Sequence, residues 1–284
     1  MKLYAISDLH LGFQANQRAL LELRSRPSDW LVLAGDVGET TAHLDLAFNV
    51  LKPRFAKLVW VPGNHELWTT SGSPEATRGR SRYDELVELC RSHGVLTPED
   101  PYPIVTIAGK QIRIAPLFLL YDYSFRPRGI PLERALDWAA EEGLECADEI
   151  LLHSDPYPDR ADWCRARCEM TEQRLKAFRN DLPTVLINHF PLREDLAILP
   201  RIPRFSIWCG TRRTEDWHIR FNAAVVVSGH LHIRSTSYRD GVRFEEVSLG
   251  YPPQWLGSVA PNDCVREILS AQLLDREEWQ DAQS

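Results

Sequence analysis

Five short apolar runs in this chain break off in the same chemical style. "LYAISDLH" ends in Asp8 and His10, "WLVLAGD" in Asp36, and "VWVPGNHE" in Asn64 and His65. "TVLINH" ends in Asn188 and His189, and "AVVVSGHLH" in His230 and His232. Each of the first three runs is followed by an amphipathic stretch, and these predict helices over 17–24, 42–51 and 81–93. The matching strands are predicted over 2–7, 30–34 and 57–61. Such alternation signals βαβ units and a parallel sheet covered on both faces. Ligands of open α/β sheets bind beyond the carboxyl ends of the strands. Polar residues delivered there by five strands therefore meet in space.

Beyond residue 104 the pattern changes. Two apolar runs, 104–107 and 111–115, flank Gly109-Lys110 and predict a hairpin. Residues 121–180 are proline-rich and charged, with helical patterns at 132–142 and 159–179, and read as a helical insertion or cap. Strands resume at 184–187 and 224–228. An antiparallel pair follows, 234–239 and 242–247, turning at Asp240-Gly241. Two blocks of β structure on either side of inserted helices favour an α/β sandwich over a simple open sheet. One domain is expected over 1–261, with a C-terminal helix and polar tail over 262–284.

Composition narrows the function classes. The chain has 284 residues, 26% of them charged, and a formal net charge of −7, which argues against a nucleic-acid polymer as partner. Its six cysteines, at 90, 146, 164, 168, 209 and 264, contain no C-x-x-C pair. They read as buried free thiols of a reducing compartment. A strand is expected at the very N-terminus, leaving no room for a signal peptide, and no apolar stretch is long enough to span a membrane. A cytoplasmic protein is expected. Oligomeric state is not readable from the sequence.

The polar residues at the strand ends form a coherent donor set. Carboxylate, amide and imidazole donors together suit borderline divalent metals such as Mn, Fe, Zn, Co or Ni. The spacings Asp8-x-His10 and His230-x-His232 place each pair on one side of an extended backbone. Gly35, Gly63 and Gly229 stand immediately before donor segments, where close backbone approach is useful.

Taken together, "DLH", "GD", "GNHE", "NH" and "GHLH", in this order over residues 8–232, resemble the calcineurin-like metallophosphoesterases. The resemblance implies a four-layer α/β/β/α sandwich of two mixed sheets. It implies a centre of two divalent ions (Mn, Fe or Zn), one held by Asp8, His10, Asp36 and His232. Asp36 would bridge to the second, completed by Asn64, His189 and His230. His65 would stand beside the phosphate and serve the leaving group, held by Asp36 or Glu66. Asp36 and His65 are thus the expected catalytic pair.

Substrate signals lie outside these motifs. Residues 200–220 carry five arginines against one Glu and one Asp, a local net charge of +3, and Arg78, Arg80 and Arg82 form a second cluster. Arginines there suit a second phosphate or an acidic partner. Aromatic residues interleave with them. The expected substrate contacts are Trp68, Arg78, Arg80, Arg82, Tyr121, Trp208, Arg212, Arg213 and Trp217. His43, His93 and His153 read as structural, as does His218, with substrate contact its alternative.

"RFAKLVWVPGNHELWTT", "FLLYDYSF", "NHFPL", "WCGT" with "DWH", and "GHLHI…DGVRFEEVSLGYP" carry a closer resemblance. It is to the branch of the family that removes 4'-phosphopantetheine from the serine of carrier proteins. The resemblance implies an acidic carrier protein as substrate. The alternatives are a nucleotide or another small phosphoester, or a protein phosphate. "SDLHLG" is also similar to the lipid A pathway pyrophosphatases, but no basic amphipathic membrane element accompanies it. A scaffold without catalysis is disfavoured by the complete donor set.

Overall fold

The computed structural model describes residues 1–70, 76–178 and 182–274. Strands β1 (Leu3–Ile6), β2 (Arg26–Ala34), β3 (Phe55–Val61) and β10 (Arg266–Leu269) form one sheet in the order β10-β1-β2-β3. The other sheet contains β4 (Ile104–Ile107), β5 (Lys110–Pro116), β6 (Thr184–Ile187), β7 (Ala223–Ser228), β8 (Ser235–Arg239) and β9 (Val242–Glu246). Its order is β4-β5-β6-β7-β9-β8. Central pairs are parallel, and β10, β4 and β8 join their neighbours antiparallel, so both sheets are mixed.

Side-chain alternation explains why the sheets stack. Leu3, Ala5, Val32, Ala34, Val59 and Val61 meet Ile112, Ile114, Val185, Ile187, Val225 and Val227 in one buried layer between the sheets. Their neighbours Tyr4, Ile6, Leu31, Leu33, Leu58 and Trp60 point the other way, into a layer shared with helices. With both faces covered, each central strand reads as a nearly continuous apolar run. The outer layers take helices α1 (Gln14–Leu21), α2 (Thr41–Leu51), α4 (Gly79–Ser92) and α7 (Arg160–Lys176). The four-residue α3 (Asn64–Leu67) follows β3 directly. The result is the expected α/β/β/α sandwich.

Local signals fall close to where they were expected. Asp240 (φ 52°) and Gly241 (φ 77°) are both left-handed, the backbone of a type I′ hairpin. The earlier hairpin turns one residue sooner than expected, at Ala108 (φ 51°) and Gly109 (φ 81°). All six cysteines are free and buried. Among the described residues, no helix is long and apolar enough to cross a membrane.

The two sheets place the expected insertion and the C-terminal segment. The segment 121–180 is the crossover joining parallel neighbours β5 and β6, a connection such a pair requires. It carries α5 (Ala135–Ala140), α6 (Asp148–Leu151) and α7, whose N-terminus is capped by the Asp159 carboxylate accepting from Asp162 N at 2.7 Å. The expected end of that last helix, residue 179, lies outside the described residues. The C-terminal segment is not one continuous helix: the single helical turn Pro261–Cys264 leads into β10, which pairs with β1 and sets Leu3 opposite Leu269. An open strand edge with unpaired backbone groups outweighs local helical pattern there. Residues 271–274 are helical, and the rest of the expected tail, 275–284, lies outside the described residues.

Candidate active site

The strands stop one or two residues before the donor segments. Asp8 (φ 53°), His10 (φ 41°), Asp36 (φ 52°), His230 (φ 72°) and His232 (φ 53°) all have left-handed backbones. This corrects the extended geometry expected for the D-x-H and H-x-H pairs. Left-handed conformations are uncommon outside glycine and concentrate at functional sites. They are held by bonds between loops: Asp8 N donates to Gly35 O (2.9 Å), His10 N to Asp36 O (3.0 Å) and Gly229 N to His189 O (2.9 Å).

These kinks gather the side chains into three overlapping groups, one of which joins His10 and Asp36 to His65. The ligating atoms of Asp8, His10 and His232 lie within 4.8 Å of one another, and so do those of Asp36, His189 and His230. His232 Nε2 is 3.0 Å from Asp8 Oδ1 and 3.1 Å from His10 Nε2, and His189 Nε2 is 3.4 Å from Asp36 Oδ2. Asn64 Oδ1, His189 Nε2 and His230 Nε2 are buried without a hydrogen-bond partner. Each such atom costs about 1–3 kcal/mol when nothing satisfies it. A cation bound among them would remove that cost.

Protonation favours ligation at two of the four histidines. Burial pushes His230 down to about 3 and His10 down to about 4, so both imidazoles are neutral, the ligating form. Burial alone would lower His189 and His232 as well, but Asp36 raises the metal-free His189 to about 10 and Asp8 raises His232, so a bound cation would displace a proton from each. Burial opposes ionisation of Asp8 and Asp36, but the histidines around them hold both carboxyls below the usual range. The outer ring nitrogens are also committed. His189 Nδ1 donates to Ala34 O (2.9 Å) and His232 Nδ1 to Gln254 Oε1 (2.9 Å), which leaves each Nε2 facing the centre. The residues fit a pair of divalent ions.

His65 belongs to the third group and stands beside the other two. Its Nε2 is 3.8 Å from Asp36 Oδ2, and its ring lies against Trp68 with centroids 3.8 Å apart. The carboxylate that holds its Nδ1 is Glu39, at 3.2 Å, and not Glu66. Glu66 instead accepts from the backbone N–H groups of Asp36 (3.0 Å), Val37 (2.7 Å) and Gly63 (2.9 Å), joining the loops after β2 and β3. Burial pushes Glu66 up to about 7. Burial alone would lower His65, but Asp36 and Glu39 outweigh it and raise the metal-free imidazole to about 9.

Gly63 makes this junction possible. A Cβ there would sit 2.0 Å from Asp36 Oδ1 and 2.6 Å from Asp36 N. Gly63→Ala is expected to cost about 1–3 kcal/mol of stability, the usual penalty of overpacking. Thermal melting checks it, and an unchanged midpoint would contradict the close approach.

Residues 1–234 match the family model described as calcineurin-like phosphoesterase. The chain belongs to the calcineurin-like phosphoesterase family. It is 49% identical over 269 residues to the [acyl-carrier-protein] phosphodiesterase PptH of Mycobacterium tuberculosis, covering 94% of this chain and 83% of that protein. The crystal structure of phosphopantetheinyl hydrolase (PptH) from Mycobacterium tuberculosis superposes with a TM-score of 0.89 at 48% identity. That alignment covers 94% of this chain and 95% of the crystallised one.

In this phosphoesterase the expected metal donors converge, whereas most of the expected substrate contacts lie away from them. Trp68 lines a cleft of about 310 Å³ in front of Asp36, Asn64, His65, His230 and His232. Tyr121 is fully buried and donates to Asp148 Oδ2 (3.0 Å), and Trp208 is buried with Nε1 on Glu149 (2.7 Å). Trp217 packs in the core against Phe221.

The arginines are engaged elsewhere. Arg212 grips Glu194 through two bonds, Arg213 lies 3.7 Å from Asp122, Arg78 pairs with Asp155, and Arg80 lies 3.6 Å from Asp84. Arg82 braces the site from behind, donating to Glu66 O (3.1 Å) and Glu39 O (3.5 Å). His218 holds the β8–β9 turn through Asp240 (2.8 Å) and is not among the residues that line the cleft. Residues that sequence reasoning missed include Glu39, Asp148, Tyr251 and Gln254, together with the apolar wall of Leu199, Ile202, Phe205 and Leu231. Only Glu39 carried a signal, its place three residues after Asp36.

Proposed function

We propose that this phosphoesterase is a phosphodiesterase that removes 4'-phosphopantetheine from the serine of a holo carrier protein. In this reading Asp8, His10, Asp36 and His232 hold one divalent ion, and Asp36, Asn64, His189 and His230 hold the second. Such a pair supplies Lewis acidity toward phosphoryl oxygens and activates water near neutral pH. His65, kept protonated by Asp36 and Glu39, donates its proton to the departing serine oxygen. Trp68 and Glu39 keep its ring facing that oxygen. The six buried thiols suit a reducing, cytoplasmic setting.

The observation that carries the substrate class is the lining of the cleft. Besides the donor residues, the cleft is lined by Leu199, Ile202, Phe205 and Leu231 and by one further carboxylate, Glu145, and among the described residues no lysine or arginine lines it. Such a cleft fits one phosphate with an uncharged arm. It has nothing to clamp the additional phosphates of a nucleoside polyphosphate. The 49% identity to a protein named for acyl carrier proteins supports the same choice.

Incubation of the Mn-loaded enzyme with holo carrier protein, followed by intact-mass measurement, tests this. The expected result is loss of the phosphopantetheine mass and recovery of the apo protein. Intact holo protein beside rapid cleavage of nucleotides or aryl phosphates would overturn it.

A further inference from the structure

Asp148 lies on α6, fully buried, and has no part in the chemistry above. Three donors from separate parts of the chain converge on its carboxylate. Trp68 Nε1 reaches Oδ1 at 2.6 Å, Asn64 Nδ2 reaches Oδ1 at 3.0 Å, and the Tyr121 hydroxyl reaches Oδ2 at 3.0 Å. An amide side chain has two unlike ends, and only its oxygen can bind a cation. With Nδ2 committed to Asp148, Asn64 Oδ1 is left buried and without a partner. The same carboxylate holds Trp68, whose ring packs on His65.

The geometry points to Asp148 as a positioning residue: it fixes which end of the Asn64 amide faces the metal centre and thereby sets occupancy of the second metal. The inference rests on the reading of Asn64 as a ligand. It makes the β5–β6 crossover a working part of the site, since Asp148 belongs to that connection and not to a sheet strand. Outer partners that orient a ligand typically contribute 10–100-fold to metal affinity.

Titration of the metal-stripped protein with Mn²⁺, counting sites and affinities by electron paramagnetic resonance of the free ion, tests the assignment. The wild-type protein is expected to bind two ions and Asn64→Ala only one tightly. If Asn64→Ala still binds both, the ligand reading itself fails. Asp148→Leu is expected to weaken the second ion about 10–100-fold and leave the first unchanged. Asp148→Asn keeps an acceptor oxygen in place and is expected to stay within about threefold of wild type. In the double variant Asn64→Asp/Asp148→Leu, residue 64 has two equivalent oxygens and needs no orienting partner, so the second ion returns. A purely structural role for Asp148 would show no such rescue, and wild-type affinity in a folded Asp148→Leu protein would overturn the inference.

Should Asp148→Leu fail to fold by near-ultraviolet circular dichroism, Asn64→Asp in the wild-type background decides. A carboxylate at 64 would face the Asp148 carboxylate, so the second ion binds more weakly despite the added charge. Tighter binding there would overturn the inference.

Discussion

Asp36→Asn is expected to abolish turnover, with kcat down by more than about 10³-fold, equivalent to about 4 kcal/mol of transition-state stabilisation. Asp36 is the residue common to both proposed metal sites. Its Oδ2 lies 3.4 Å from His189 Nε2 and 3.8 Å from His65 Nε2, and its Oδ1 accepts from His65 N at 3.0 Å. Asn keeps the shape but removes the negative charge that offsets two cations in a site only 2% exposed. The backbone should survive, because the left-handed conformation at φ 52° is tolerated by Asn as well as by Asp. Metal titration, activity and circular dichroism on one preparation check this. Normal hydrolysis by a folded Asp36→Asn protein would mean that the site has been misassigned.

His65→Ala is expected to slow turnover by about 10²–10⁴-fold, the range of general acid–base catalysis. Unlike Asp36→Asn, it should still bind both metals, because the proposed mechanism assigns His65 to the substrate and not to the ions. The loss should also depend on the leaving group. A serine alkoxide needs a proton as it departs, whereas a nitrophenolate does not, so the variant should lose far less activity on a nitrophenyl diester. Equal losses on the two substrates would place His65 in metal binding or in folding. Glu39 sharpens the test, since its carboxylate 3.2 Å from His65 Nδ1 holds the ring in position.

How much of this could be read from the chain follows from what each feature depends on. The central strands were legible because burial on both faces writes a continuous apolar run, as in Leu31–Ala34 and Val225–Val227. The convergence of the candidate metal donors was legible because each sits at a strand end within a short local motif. β10 was not, since four residues at a sheet edge acquire their conformation from β1 and carry little pattern of their own. The left-handed kinks at Asp8 and His230 were equally hidden, because they are imposed by bonds between loops distant in sequence.

Substrate contacts failed for a related reason. Arginine clusters are visible in sequence, but their partners are not. Arg212 finds Glu194 eighteen residues upstream, and Arg204 reaches Glu141 across the crossover. Tyr121 and Trp208 looked like pocket walls and proved to be braces, tied to Asp148 and Glu149 on α6. That helix, four residues long in a charged connection, had no signature to announce its place behind the metal centre.

The most direct measurement is anomalous scattering from crystals of the full chain soaked in Mn²⁺. Two peaks are expected, one enclosed by Asp8, His10, Asp36 and His232 and the other by Asp36, Asn64, His189 and His230. A single peak, or strong peaks away from these residues, would contradict the two-metal centre on which the proposed phosphodiesterase chemistry depends.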